Sequence, residues 1–396
     1  MMNKTVILCM GTRPEIIKMA PIYHALKRTN LTPLVLHTGQ HDTLAEALYP
    51  FFNMKPDYKF SMTHDSSSLG HLFSLTMDNL DNLFGRIKTA AVLVQGDTST
   101  ALAGALAAFY HKIPVGHIEA GLRSHSDYEP FPEEKNRELI ARLSQWHFVP
   151  TPQAMNNLLN EGIEKNRCFL VGNSIVDSVN WTLKHIESSS YKPATETQKI
   201  MQWLDHDRED HKTILVTAHR RESWQGQIKD IAKGIRAVTE QHPDIRVIWP
   251  VHPNPVVRNA VQDILKGLDE CEPKQVWLCK PVNCPDMLYF LQHSWLVLTD
   301  SGGLQEEAVT LKIPVLVLRD KTERPEVTEV HGGALIGTAP HSISGWVNKL
   351  YDEKQYKMLK STSNPFGDGH TATAIVKILE NDLIKSNVVD LTAGVN

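Results

Sequence analysis

The sequence predicts an α/β protein made of two doubly wound, parallel-sheet domains. Three observations predict it. Short β-branched runs alternate with longer amphipathic segments, the mark of βαβ units. The alternation halts at the polar stretch Ser188-Ser189-Ser190-Tyr191-Lys192-Pro193 and the charged stretch 205–212, then resumes. At ~150 residues per domain, a chain of 396 residues suits two to three domains.

Taken in order, residues 6–9, 33–37, 91–95, 115–118, 147–149 and 169–171 read as strands of the first domain. A helix follows Pro14, which suits a first turn, and Met19, Ile22, Tyr23 and Leu26 give it an apolar face. Leu72, Leu75, Leu80 and Leu83 mark a second helix, and 101–110 is a compact, alanine-rich third. A short helix is expected at 198–204, beyond the polar break. Strands resume at 214–217, 247–249, 276–278, 296–298 and 315–318. The expected division is 1–187, 188–370 and 371–396. The last piece reads as a helix over 371–384 that packs back across the domains, with a frayed tail after Ser386. Two such domains facing each other are expected to form an interdomain cleft, a common place for a ligand.

Composition excludes several classes. Hydrophobic residues make up 41% and charged residues 22%, enough for a buried core and against disorder. Lys+Arg number 41 against 45 Asp+Glu, a formal charge of −4, so broad nucleic-acid binding is excluded. No apolar run reaches the ~18 residues of a membrane span. The N-terminus lacks a cleavage pattern, so no signal peptide is read and a cytoplasmic protein is expected. The cysteines (Cys9, Cys168, Cys271, Cys279, Cys284) are odd in number and form no C-x-x-C pair. Free thiols are expected, with neither disulfides nor structural zinc.

In open parallel sheets the ligand sits beyond the carboxyl ends of the strands. The first strand ends in Gly11-Thr12-Arg13-Pro14-Glu15, with Lys18 one turn on. This is no dinucleotide fingerprint, yet it sets Arg13 at a helix N-terminus, where an anion is favoured. Asp97 and Glu119 each follow an apolar strand, where a buried acid is costly unless paired or used. For Asp97 the plain alternative is a helix N-cap. For Glu119 it is an ion pair with Arg123. Glu133 and Glu134 open a helix, where acids also simply favour the dipole. In the second domain, His219-Arg220-Arg221 suggests acid/base work on an anion. Ser301-Gly302-Gly303 lets backbone amides approach a phosphate, Glu307 lies one turn in, and Arg324 lies on a charged loop. A nucleotide-activated small molecule fits these residues, but they leave the reaction open.

GTRPEIIKMAP, QGDT, HIEAGLRS, PEEKNR, TAHRRES, PVHPNP, DSGGLQEEA, RDKTERPE and NPFGDG occur in that order over about residues 5–375. The series resembles that of the non-hydrolysing UDP-N-acetylglucosamine 2-epimerases. The resemblance implies the GT-B architecture and a homodimer needing neither nicotinamide nor catalytic metal. It implies interconversion of UDP-GlcNAc and UDP-ManNAc through elimination of UDP to 2-acetamidoglucal, supplying precursors for cell-surface polysaccharide. Asp97, Glu119 and Glu133 would then be the acid/base group, with His219 at the glycosidic phosphate. Arg13, Ser301, Gly302, Gly303 and Arg324 would hold the diphosphate, Glu307 the ribose, and Lys18 would add positive charge. Met287 stands where the family usually has an aromatic residue over uracil, which leaves a modified hexosamine open as the substrate. Gln40, His41 and His252 match an activating second UDP-GlcNAc site, while the basic residue expected near Ser66 is missing. A GT-B glycosyltransferase, a hydrolysing epimerase and a non-catalytic UDP-sugar-binding protein are the alternatives.

Overall fold

In the computed structural model, the described residues are 4–40, 45–61, 68–188, 191–206, 208–218, 226–268, 274–360 and 363–392. The chain divides into two compact units, Met1–Ser178 with Phe366–Asn396, and Val179–Pro365.

The first unit holds a seven-stranded sheet of β1 (Lys4–Met10), β2 (Leu31–His37), β3 (Tyr58–Lys59), β4 (Ala91–Gln95), β5 (Val115–Ile118), β6 (Trp146–Val149) and β7 (Cys168–Leu170). Its order is β3-β2-β1-β4-β5-β6-β7, with every pairing parallel. The order reverses at β1, where β2 lies on one side and β4 on the other. Such a switch point leaves a crevice beyond the strand ends. Central strands are buried on both faces, which explains their unbroken apolar runs. Ile7, Val92 and Val94 pack against Ala101, Ala105 and Ala108 of the helix Ser99–Tyr110.

The second unit repeats the design with β8 (Lys212–Thr217), β9 (Ile245–Pro250), β10 (Val276–Cys279), β11 (Leu296–Thr299), β12 (Val315–Val317) and β13 (Gly333–Leu335). The order is β10-β9-β8-β11-β12-β13, again all parallel, so β8 and β11 flank the switch point. Val216, Val247 and Leu298 meet Ile231, Ile235 and Val238 of the helix Gln227–Gln241.

The sequence reading missed β3 and β13. Both are edge strands of two or three residues, too short to show a period of two. The C-terminal helix Thr371–Thr392 belongs to the first unit and packs on the helix Arg13–Leu26. Trp146 Nε1 donates to Asp382 Oδ2 at 2.7 Å, and Asp177 Oδ1 accepts from the Ala372 amide at 3.1 Å. Among the described residues, no helix is long and apolar enough to cross a membrane.

His117 and His147 lie side by side on β5 and β6, both fully buried. Burial lowers His117 to about 4 and His147 to about 3, from an ordinary value near ~6.5. Both are therefore neutral when folded and take up protons on unfolding. The stability they contribute is complete above pH ~6.5 and falls as pH drops toward 4 and then 3. A His147→Phe variant is expected to lose less of its urea midpoint than the parent between pH 8 and 5. Equal slopes in the two proteins would refute this account.

Candidate active site

Glu119 is the first residue beyond β5, and its φ of 65° lies in the left-handed region. A non-glycine residue held there costs on the order of 1–3 kcal/mol, so the surroundings must fix it. They do so through the carboxylate. Oε2 meets the Lys18 ammonium in a short ion pair. The same oxygen accepts from Gln95 Nε2 at 3.2 Å and from Asn173 Nδ2 at 3.2 Å. Glu119 and Lys18 are both buried. Arg123 is not the counter-ion: it forms a two-pronged pair with Glu161 at 2.6 and 2.8 Å. Lys18 lies one turn into the helix Arg13–Leu26, so its element delivers the ammonium from β1 to the end of β5.

Asp97 follows β4. It is not the N-cap of the next helix; Thr98 is, accepting from the Ala101 amide at 3.0 Å. The Asp97 carboxylate instead pairs closely with Arg137 and keeps 27% of its side chain exposed. Asn136 Nδ2 holds the Asp97 carbonyl at 2.8 Å. Arg137 also binds Glu134 Oε2 at 2.7 Å, and Glu134 accepts from the Ser124 and His125 amides at 3.0 Å. The helix Glu133–Leu143 thus carries both the bridge and the acid behind it. Glu133 opens that helix and is half-buried. His117 Nε2 donates to the Gly96 carbonyl at 2.7 Å, fixing the turn before Asp97.

At the end of β1, Glu15 is fully buried and accepts from the Gly11 and Thr12 amides at 2.9 and 2.7 Å and from Thr98 Oγ1 at 2.6 Å. Burial pushes its pKa up despite those donors. Glu15 ties the β1 turn to the β4 turn. Arg13 beside it is half-buried and, among the described residues, carries no ion pair. Gln40 closes the same end of the sheet, accepting from Thr100 Oγ1 at 2.8 Å.

In the second unit, Thr217 and Thr299 end β8 and β11 and share a hydrogen bond of 2.6 Å. Thr299 Oγ1 accepts the Ser301 amide at 3.0 Å, and Ser301 caps the helix Gly302–Thr310 through the Leu304 amide at 3.4 Å. Gly302 lies directly beneath Arg324. A Cβ there would stand 2.5 Å from Arg324 Nη1. Nothing lies within 4 Å of the corresponding position on Gly303. Arg324 is buried, donating to Glu306 Oε1 at 2.6 Å and pairing with Glu323 at 2.9 Å. Glu323 also holds Arg319 at 2.7 Å. Gln305 joins the two loops, donating to the Ser301 carbonyl at 3.3 Å and accepting from Thr322 at 3.0 Å. Glu307 is half-buried in this helix. Met287 is half-buried on the helix Cys284–Gln292, where Tyr289 stacks on His293 at 4.0 Å. His252 follows β9 and accepts from the Asn254 amide at 3.2 Å. His219, with Arg220 and Arg221, and His41 lie outside the described residues.

Within the first unit the structure therefore joins Lys18 to Glu119, and Asp97 to the helix of Glu133. Within the second it joins Ser301, Gly302 and Arg324. The reading of strand ends missed Gln95, Asn173, Asn136, Arg137, Glu306 and Glu323. The PEEKNR segment held Asn136 and Arg137 in plain view, but nothing local says that they reach Asp97. Among the described residues, no group of three or more His, Cys, Asp or Glu could hold a metal ion.

Known proteins resemble this chain over nearly its whole length. The family profile described as UDP-N-acetylglucosamine 2-epimerase matches residues 24–380. The UDP-N-acetylglucosamine 2-epimerase of Escherichia coli (strain K12) is 39% identical over 381 residues, covering 96% of this chain and 99% of that one. The Bacillus subtilis (strain 168) protein of the same name is 41% identical over 376 residues, 94% of each chain. The crystal structure of UDP-GlcNAc 2-epimerase from Neisseria meningitidis bound to UDP-GlcNAc superimposes with a TM-score of 0.86 at 36% identity, covering 96% of this chain and 100% of that one. The parallel sheets, the motif order and these matches agree, and the chain belongs to the UDP-N-acetylglucosamine 2-epimerase family.

Proposed function

We propose that this chain interconverts UDP-GlcNAc and UDP-ManNAc by eliminating UDP and adding it back. The observation that carries the reading is the pair of carboxylates at adjacent strand ends, each with its own cation: Glu119 with Lys18, and Asp97 with Arg137. Binding UDP alone needs no such acids. The C2 proton of a hexosamine is not next to a carbonyl, so simple deprotonation is too slow. In the proposed path a carboxylate takes the C2 proton, and the C–H electron pair forms the C1–C2 double bond. The C1–O bond breaks and UDP leaves with its electrons. A proton then returns to the opposite face of C2, and UDP adds back at C1. Family membership supports the substrate, and the acid pairs suit proton transfer on two faces of one carbon.

On this reading Asp97, Glu119 and Glu133 surround C2, and His219 serves the departing phosphate. Arg13, Lys18, Ser301, Gly302, Gly303 and Arg324 serve the diphosphate, Glu307 the ribose and Met287 the uracil face. The helix N-terminus at Ser301 supports the phosphate role, since its amides favour an anion. Gln40, His41 and His252 are proposed for a second, activating UDP-GlcNAc. We place the reaction in the cytoplasm, which the buried free thiols of Cys9, Cys168 and Cys279 suit. We also propose a homodimer, supported by the exposed aromatic rings of Phe109 and Tyr110 at one helix end.

Proton NMR with UDP-GlcNAc in D2O is expected to show UDP-ManNAc with deuterium at C2. Release of UDP with free ManNAc would replace this reading with hydrolysis, and an unchanged spectrum would reject it. Asp97→Asn and Glu119→Gln are each expected to fold and to lose at least ~10²-fold in turnover. Near-normal rates in both would remove them from the chemistry. Arg324→Ala is expected to weaken UDP binding by calorimetry; unchanged affinity would reject its diphosphate role. Light scattering is expected to give twice the chain mass, and a single-chain mass would exclude the homodimer.

A further inference from the structure

Asn173 lies far from every strand-end motif in sequence, yet its side chain touches Glu119. It is 3% exposed and stands just before the helix Ser174–Glu187. Four hydrogen bonds fix it. Its amide donates to the Phe366 carbonyl at 2.8 Å, and its carbonyl accepts from the Val176 amide at 3.1 Å. Its side-chain Oδ1 accepts from the Ile175 amide at 3.1 Å, and its Nδ2 donates to Glu119 Oε2 at 3.2 Å. The last two bonds settle the direction of the side-chain amide. Turned over, it would set Oδ1 against the carboxylate and Nδ2 against an N–H.

The backbone is built to hold this pose. Gly172 before it has φ of 88°, and a Cβ there would stand 2.9 Å from both the Phe366 carbonyl oxygen and Thr371 Oγ1. Only glycine lets the segment returning at Phe366 come this close. Helix capping explains Oδ1 but not Nδ2. The Nδ2 bond goes to an acid at which Lys18 is the charged group and Gln95 a second neutral donor.

We propose that Asn173 is a positioning residue for Glu119, locking the carboxylate through Oε2 in the orientation used at C2. This rests on the reading of Glu119 as an acid/base group in epimerisation. Substrate binding is not its task.

Two variants test this. Asn173→Ser keeps an oxygen to cap the helix but has no donor long enough for Glu119. Asn173→Asp keeps the shape and the cap but turns an anion toward the carboxylate. Both are expected to fold, with KM within about threefold of the parent and kcat lowered about tenfold or more, as for a displaced acid/base group. The pKa governing the kcat profile of Asn173→Asp is expected to move up by about one unit or more, the scale of a like-charge neighbour. Wild-type kcat and an unmoved profile in a folded variant, with the parent active, would overturn the positioning role alone. If Asn173→Asp does not fold, the kcat of Asn173→Ser decides. Absence of C2 exchange in the parent would instead overturn the functional reading beneath it.

Discussion

The buried pair of Lys18 and Glu119 is the contact on which the first unit's site depends. Both charges are out of water, and each needs the other. Removing one partner of such a pair costs about 3–5 kcal/mol, because it strands a charge. The pair also holds Glu119 in a backbone region that glycine usually occupies. The lysine comes from the helix after β1 and the acid from the end of β5, with β4 between them in the sheet. The parallel sheet therefore sets the distance that the side chains close. Gln95, at the end of β4, fills the step between them.

Four acids in this unit have four environments, and chemistry follows from the differences. Glu15 caps two amides in full burial, and its raised pKa shows that burial outweighs its donors. Glu134 caps Ser124 and His125 and orients Arg137. Neither has exposure to spare for a substrate. Asp97 keeps part of its carboxylate open beside Arg137, and Glu119 Oε2 meets Lys18, Gln95 and Asn173. On the proposed reading proton transfer falls to acids that are held in place, Asp97 partly open beside Arg137 and Glu119 fixed in burial by Lys18.

The fold was legible because a strand and its turn are local. Apolar runs gave eleven of the thirteen strands among the described residues, and the two edge strands were too short to register. The strand-end acids were legible for the same reason. Their partners were not. Arg137 reaches Asp97 across 40 residues, and Asn173 reaches Glu119 across 54. Such pairings depend on which strands neighbour each other, and local sequence does not carry that. Arg123 shows the hazard: it stands four residues from Glu119 and pairs with Glu161.

On the proposed reading the second unit holds the diphosphate by a different principle. Arg319 pairs with Glu323, and Arg324 pairs with Glu306 and Glu323. Its guanidinium is aimed rather than merely attractive. Gly302 matters here because its missing side chain lets Arg324 lie against the turn that opens the helix. On that reading the field for a phosphate comes from the amides at the helix start after Ser301. On the proposed path UDP must be held while the C1–O bond is broken and released when the cycle ends. An arginine paired with carboxylates suits that demand better than an unpaired one, which would hold the detached diphosphate more tightly than the intact sugar nucleotide.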